Sequence, residues 1–428
     1  MWGSMNRRTF MQAAATSGAA LAAGAPAFAA EGLPSQKIVV GAMGLGGRGT
    51  GLAQLFEGQE GVEVAYVCDV DSRRAASAAQ AVREIKGRLP KVVRDFRAIL
   101  DDRSVDLLVI ATPDHWHAPA AILACAAGKH VYVEKPCCHN PREGELLVAV
   151  ARKHRRLVQH GTQRRSWPSH VEAVRKLREE IIGPVHMARA MHVGMRTSIG
   201  RGRPAPVPRW LDYDLWQGPA PRVPYRDNAV HYNWHFFWHW GTGEIGNNGV
   251  HKIDVARWGL GVDFPSRVTS AGGKLFFRDD GETPDTHLVT YQFGDRMLAF
   301  ENRNWHRRGF ENPTDADIAF YGEGGTLVIA GSSYKVYDMQ DRQIDQGGSS
   351  GGDAEHVRNL LDAIRHGTPL AAEIEIGYRS TLLCQLGAIA HRSGHTLRCD
   401  PSTGRILDDP EASCLWSRTY EPGWEPKV

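Results

Sequence analysis

The chain has little net charge and little sulfur, and it lacks long apolar runs outside its first residues. Basic side chains outnumber acidic ones by 51 to 48 over 428 residues. A dedicated nucleic-acid binder needs a basic face that displaces counterions, so that class is excluded. Seven cysteines are an odd set in a long chain and do not describe a disulfide framework. Beyond the N-terminus no stretch approaches about 20 apolar residues, which leaves no second candidate for a membrane span. With 42% hydrophobic and 23% charged residues, wholesale disorder is excluded too. The length suits two or three domains with substantial cores. Tryptophan breaks this ordinary pattern: of 12, Trp210, Trp216, Trp234, Trp238, Trp240 and Trp258 crowd into one stretch.

The first residues read as an address. Asn6-Arg7-Arg8-Thr9-Phe10-Met11 precede an alanine-rich segment, a pattern that resembles a twin-arginine export signal. Ala27-Phe28-Ala29 offers small residues where a signal peptidase reads, so residues 1–29 are expected to be removed. Gly18, Gly24 and Pro26 make the segment too weakly apolar for secure anchoring, so no stable membrane insertion is expected after cleavage. Arg7 and Arg8 leave with it, bringing the chain closer to neutrality. The expected location is periplasmic or extracellular. This export route carries folded proteins, and folding in a reducing cytoplasm suits free thiols such as Cys137 and Cys138.

Residues 36–161 read as a dinucleotide-binding domain. A β-branched run, Lys37 to Met43, leads into Gly44-Leu45-Gly46-Gly47-Arg48-Gly49 and then a helix-compatible segment from Thr50 to Phe56. Gly44 permits the tight turn, Gly46 lets backbone approach a pyrophosphate, and Gly49 lets helix and strand pack closely. A second strand, Val62 to Cys68, ends in Asp69, which can accept hydrogen bonds from the adenosine ribose and repels a 2′-phosphate. This favours NAD over NADP, although Arg73 and Arg74 are near enough to receive a phosphate. Strands at Val105–Ala111 and His130–Val133 around a helix at Ala118–Ala127 continue the βαβ rhythm of a doubly wound parallel sheet.

Two strand ends then carry Thr112-Pro113-Asp114-His115-Trp116-His117 and Glu134-Lys135-Pro136. With the glycine loop upstream, this pairing resembles the Gfo/Idh/MocA oxidoreductases over essentially the whole chain after the leader. The resemblance implies an N-terminal Rossmann domain, a C-terminal α+β domain with a large, mostly antiparallel open-faced sheet, NAD as cofactor, and a homo-oligomer. It assigns cofactor contacts to Thr112, Pro113, His117, Glu134 and Lys135, and places Lys135 beside the nicotinamide and the reacting hydroxyl. A partly desolvated lysine beside a cationic ring sheds its proton readily and can exchange it with a carbinol. A second signature runs from Gly243 to Trp258. Many relatives carry Asp four residues before its histidine; here that position is Asn247, which cannot take a proton. Lys135 and His251 are therefore the acid–base candidates, with Asn247 left to orient a hydroxyl. Asp254 is open to two readings, orienting His251 or making a salt bridge.

The second domain is expected over 162–400, with 401–428 as a tail. Gln163 and Arg164 should emerge on the active-site side. Runs at 184–193, 268–276, 287–293, 297–303, 318–321 and 326–329 read as strands between turn signals such as Asp279-Asp280-Gly281. Segment 353–366 has helical apolar spacing, ends at Gly367, and is expected to pack rather than act. The insertion 196–243 gathers the tryptophans. Flat rings beside amides and imidazoles suit a carbohydrate, which makes Trp234, His235 and Trp238, with Asn247, His251 and Asp254, candidate substrate contacts. A satellite core is the alternative for these rings. His231, His235 and His239 lack the carboxylate company of a zinc site, and no metal is expected.

Three functions are open at this point: an ordinary sugar or polyol dehydrogenase, a redox-neutral enzyme that keeps its NAD (sugar–sugar oxidoreductase or NAD-dependent glycosidase), and a non-catalytic nucleotide-binding protein. Export favours the second, because free NAD is not steadily supplied outside the cytoplasm. Lys135 and His251 together count against the third.

Overall fold

Short β-branched segments separated by helices build the first half of the chain. The computed structural model describes residues 37–308 and 317–428, so the expected leader lies outside the described residues. Strands β1 (Ile38–Met43), β2 (Val62–Cys68), β3 (Lys91–Val93), β4 (Leu107–Ile110), β5 (His130–Val133) and β6 (Val158–His160) form one sheet in the order β3-β2-β1-β4-β5-β6. Every neighbouring pair is parallel. All four residues of β4 are buried, as a strand covered on both faces requires. Helices α1 (Gly47–Glu57), α2 (Ser72–Lys86), α3 (Asp114–Ala126) and α4 (Pro141–Lys153) are the crossovers. The helix expected from Ala118 begins four residues earlier. Pro113 sits at its N-cap in an extended conformation, and Asp114 places a carboxylate in the first turn.

The second half is built on a mixed sheet. After α5 (Pro168–Arg178) come β7 (Val185–Met195), the insertion, and α6 (Val250–Leu260). Strands β8 (Arg267–Gly273), β9 (Thr286–Phe293), β10 (Arg296–Arg303), β11 (Trp305–His306), β12 (Ile318–Gly322), β13 (Gly325–Ala330), β14 (Ser333–Asp338) and β15 (Gln343–Gly348) follow. Helices α7 (Asp353–His366) and α8 (Ile374–Ser393) precede the short β16 (Leu397–Cys399) and β17 (Ile406–Leu407). The sheet order is β15-β14-β13-β12-β7-β10-β9-β8-β16-β17, with β11 beside β7. Only β7 and β10 run parallel; the other pairs are antiparallel. Burial alternates along β9, with Val289, Tyr291 and Phe293 inside and Leu288, Thr290 and Gln292 outside. One face therefore packs on helices and the other stays open.

α7 ends at Gly367 in the left-handed conformation, where the sequence places its stop. Its first residue does more than pack: the Asp353 carboxylate binds Arg48 of the glycine loop. α8 had no expectation. It is buried on nearly every side, so it shows no amphipathic period to read. The tail is not free-standing. Trp424 packs edge-on against Trp116, centroids 5.0 Å apart, and Tyr420 Oη donates to Glu143 Oε1 at 3.0 Å.

Burial keeps a set of histidines neutral. Desolvation pushes His115, His160 and His287 down to about 3, and His130, His170 and His356 down to about 4. Below the unfolded value of about 6.5, the unfolded chain binds more protons than the folded one, so stability falls as pH falls. A thermal melt series from pH 7 to about pH 4 is expected to show a continuous loss of Tm that begins near pH 6.5. A flat Tm down to pH 5 would contradict this burial.

Candidate cofactor and active site

A cavity of about 470 Å³ opens at the carboxyl ends of β1 and β4, where the strand order reverses. Its floor is the glycine loop. Gly44 has φ +83°, and a Cβ there would sit 2.6 Å from the Thr112 backbone nitrogen. A Cβ on Gly49 would sit 1.7 Å from the Gly44 carbonyl oxygen. No side chain can be added at either place, so the start of α1 presses against the strand ends. That helix begins with no side-chain cap and no acidic residue in its first turn, leaving N–H groups and a positive dipole end for an anion. Asp69 lies at the far side, accepting from Leu45 N at 2.6 Å and Asp71 N at 2.8 Å. Burial pushes its carboxyl up while those backbone donors oppose the rise. A pyrophosphate on the helix start and a ribose at Asp69 fit this cradle.

The roof comes from the insertion. Leu215, Trp216, His231, Tyr232, Trp234 and His235 face the cavity across from the glycine loop. The roof is tied to the loop after β2: Ser72 N donates to Trp210 O at 3.0 Å, and Asp212 N to Val70 O at 3.0 Å. The buried Asp71 caps α2 and also accepts from His231 Nε2 at 3.0 Å. Burial opposes ionisation of Asp71, but Arg73 and these donors hold it at about 2. His231 is itself pushed down, first by burial and then by Arg74, so a neutral imidazole makes this bond. The Arg73 guanidinium lies 3.6 Å above the Trp210 ring.

At the other end, Lys135 reaches out of the loop after β5 and crosses to the second domain. Its Nζ donates to Asn247 O at 2.9 Å and to Asn247 Oδ1 at 3.0 Å. Asn247 stands in a π-helical turn, Ile245–Gly249, that leads into α6. Glu134, beside Lys135, accepts from Arg48 Nε at 2.7 Å. Burial works against its charge, but Arg48 and Lys135 keep it below the usual carboxylate range. His117 joins the two strand ends, its ring nitrogens 2.6 Å from Pro136 O and 2.8 Å from Thr112 O. His251, in the first turn of α6, is held well below its ordinary value by burial and then by Lys135. Its Nδ1 is buried without a hydrogen-bond partner. His251 does not itself line the cavity, and an imidazole held neutral by burial and by the Lys135 cation is a poor proton acceptor.

Two family models match the chain: an oxidoreductase-family NAD-binding Rossmann fold over residues 38–162, and the C-terminal alpha/beta domain of the same family over 191–426. The chain belongs to the Gfo/Idh/MocA oxidoreductases. Its N-terminal domain is that family's NAD-binding Rossmann fold. A glycosyl hydrolase family 109 protein of Shewanella sp. strain ANA-3 is 37% identical over 119 residues, 27% of this chain and 26% of that protein. An inositol 2-dehydrogenase of Saccharopolyspora erythraea is 33% identical over 227 residues, 52% of this chain and 54% of that protein. The matched stretches thus span from about a quarter to about half of these curated relatives. An aldose–aldose oxidoreductase from Caulobacter crescentus superposes with a TM-score of 0.66 at 17% identity, over 85% of this chain and 99% of that one, a likeness of fold.

The geometry brings together Gly44, Gly46, Gly49, Asp69, Thr112, Pro113, His117, Glu134, Lys135, Trp234, His235 and Asn247 around one cavity. Other candidates go elsewhere. Asp254 does not orient His251: it is fully buried and takes Arg165 Nε at 2.8 and 3.0 Å and Ser380 Oγ at 2.6 Å. Arg164 is paired with Asp317 at 3.0 Å, and neither it nor Gln163 lines the cavity. Trp238 faces a different cleft. The aromatic cluster is largely a satellite core, in which Trp216, Trp234 and Trp240 pack with Leu211, Tyr213 and Tyr225; only Trp216 and Trp234 also face the cavity. His231, His235 and His239 turn to separate partners, Asp71, Tyr232 O and Pro221 O.

Sequence reasoning missed Glu244. It is 2% exposed, meets Arg196 at 2.7 Å, His192 at 3.4 Å and Asn248 Nδ2 at 2.6 Å, and both its oxygens lie 3.5 Å from Asn247 Nδ2. Burial resists its charge, but Arg196 and His192 keep it low. A carboxylate on that side of the Asn247 amide turns Oδ1 toward Lys135. The signal was present as Glu three residues before Asn, but its partners come from β7 and the start of the insertion. In a Glu244→Gln variant the Asn247 amide loses the carboxylate beside its Nδ2. Turnover is expected to fall severalfold with NAD content unchanged; unaltered turnover would disconnect Glu244 from the Lys135 end of the cavity.

Proposed function

We propose that the protein is an exported, NAD-retaining oxidoreductase that acts on a CH–OH group of a carbohydrate and returns the electrons within each catalytic cycle. The observation that carries this reading is the roofed cavity, whose floor belongs to one domain and whose cover is latched to it by Asp71, Trp210 and His231. A bound dinucleotide under such a cover leaves only when the latch opens. NAD, when bound, would supply the hydride acceptor, and the residues at the Lys135 end of the cavity would handle the proton. Lys135, in its neutral amine form, takes the proton of the reacting hydroxyl and becomes the ammonium whose N–H groups Asn247 holds from the opposite domain. The twin-arginine pattern supports export, and export supports recycling, since a cofactor shed outside the cytoplasm is not replaced.

A glycosidase reading is the second candidate, and the acids of the cavity bear on it. Asp69 is engaged by backbone N–H groups, Asp114 by Thr242 Oγ1 at 2.6 Å, and Glu134 by Arg48. Among the described residues no pair of unengaged carboxylates lines the cavity, which counts against direct displacement of a glycoside by two acids. Transient oxidation of a ring hydroxyl acidifies the neighbouring C–H, and elimination then needs one base, for which Lys135 is the residue that lines the cavity. The family 109 similarity favours the same route.

Denaturing the purified protein is expected to release about one NAD per chain; its absence would point to a conventional dehydrogenase with an exchanging cofactor. Lys135→Ala is expected to lower turnover by about 100-fold or more, in the range of lost acid–base catalysis, with NAD content unchanged. Aryl glycosides supplied without added NAD separate hydrolysis from sugar–sugar exchange.

A further inference from the structure

A second cleft, of about 430 Å³, lies on the other side of the Trp240–Thr242 segment from the cofactor cavity. One face of α8 forms its wall, at Cys384, Gln385, Ala388, Ile389 and Arg392, facing the start of α4, the insertion and the tail. Its chemistry differs from that of an ordinary domain seam. Arg418 is half-buried and gives its guanidinium only to neutral acceptors: His139 Nδ1 at 3.2 Å, His239 O at 3.0 Å and Thr419 O at 3.3 Å. Arg392, at the rim, lies 5.1 Å over the Trp238 ring. Among the described residues neither guanidinium has a carboxylate within the 4.0 Å of an ion pair. The one acid on the lining, Glu282, is bonded to the Trp238 N–H at 2.8 Å. Glu143, behind the wall, is taken by His139 N and the Tyr420 hydroxyl.

Two further observations point to a ligand. The Gln385 amide is 5% exposed; its Nε2 donates to Cys138 O at 3.0 Å, while its Oε1 has no hydrogen-bond partner. A buried acceptor left unpaired loses its hydration with nothing in return unless a donor reaches it. The positive field, opposed only from beyond ion-pair distance by Glu143 and Glu282, also registers on its neighbours: after burial, Arg418 is the next cause holding His139 and His115 low, and it lowers His239 as well. Guanidinium groups with no carboxylate in direct contact, a flat indole and an amide oxygen seeking a donor match a molecule with an anionic group, an apolar ring face and hydroxyls.

We propose that this cleft is a separate binding site for a sugar bearing a carboxylate or sulfate group, with Arg392 and Arg418 holding the anion, Trp238 the ring and Gln385 a hydroxyl. The assignment rests on the cleft's own residues and stands whether or not the cofactor site works as proposed. Titration calorimetry of the full holoprotein with glucuronate, a glucose sulfate ester and glucose tests it. At least one anionic probe is expected to bind and glucose to bind about tenfold more weakly or not at all; preference for one anion identifies the group recognised. Arg392→Gln, a rim substitution that leaves the buried wall intact, is expected to weaken binding by about tenfold, and Arg418→Gln by more. Lys135→Ala, in the other cavity, is expected to leave the affinity unchanged. Failure of both anions to bind, equal binding of glucose, or binding that survives Arg392→Gln but not Lys135→Ala would overturn the proposal.

Discussion

The chemistry of this molecule depends on a seam between the insertion and the loop that follows β2. The two meet at Asp71, a fully buried carboxylate that caps its own helix and receives a hydrogen bond from His231 of the other domain. Backbone bonds from Ser72 and Asp212 run alongside, and Arg73 closes over Trp210. Without this seam the cavity would be an open Rossmann groove. With it, a cofactor lies between two domains that are stitched at the ribose end by Asp71 and at the reactive end by Lys135 and Asn247. The same two stitches set the distance between the sheet edge and α6, and therefore the room left for a substrate.

Electrostatics are arranged around one cation. Lys135 has Glu134 on its own strand end and reaches Glu244 only through the amide of Asn247. A direct lysine–carboxylate pair at the reacting atoms would hold the proton tightly; an interposed amide orients the ammonium and spreads the interaction. His251 is kept neutral by burial and by that same ammonium. Asp254, an acid on the same helix, is removed from the scene by Arg165 and Ser380, a buried pair whose separation would strand a charge at a cost of about 3–5 kcal/mol.

What was legible in the sequence was local. The glycine loop, the strand ending in Asp69 and the Glu134-Lys135-Pro136 turn each carry their meaning within a few residues, and the strand periodicities of β9 and β10 mark their own faces. What was not legible was long-range. His231 finds Asp71 across 160 positions, and nothing near either residue announces the other. Glu244 acts through partners on β7. Trp238 looked like its neighbours but turns to Arg392 because the chain reverses within the insertion. α8 hides because it is apolar on all sides, and Asn247 departs from the family pattern in a way whose compensation, Glu244, only the fold displays.

Retention of the cofactor through the catalytic cycle is the central claim, and its direct measure is the exchange rate of bound NAD. Holoprotein mixed with a large excess of isotopically labelled NAD, in the presence and absence of turning-over sugar, can be sampled by rapid gel filtration and mass spectrometry. Exchange slower than turnover, by at least about tenfold, is expected, with His231→Leu bringing the two rates together. Exchange as fast as turnover in the unaltered protein would contradict a latched, self-recycling cofactor.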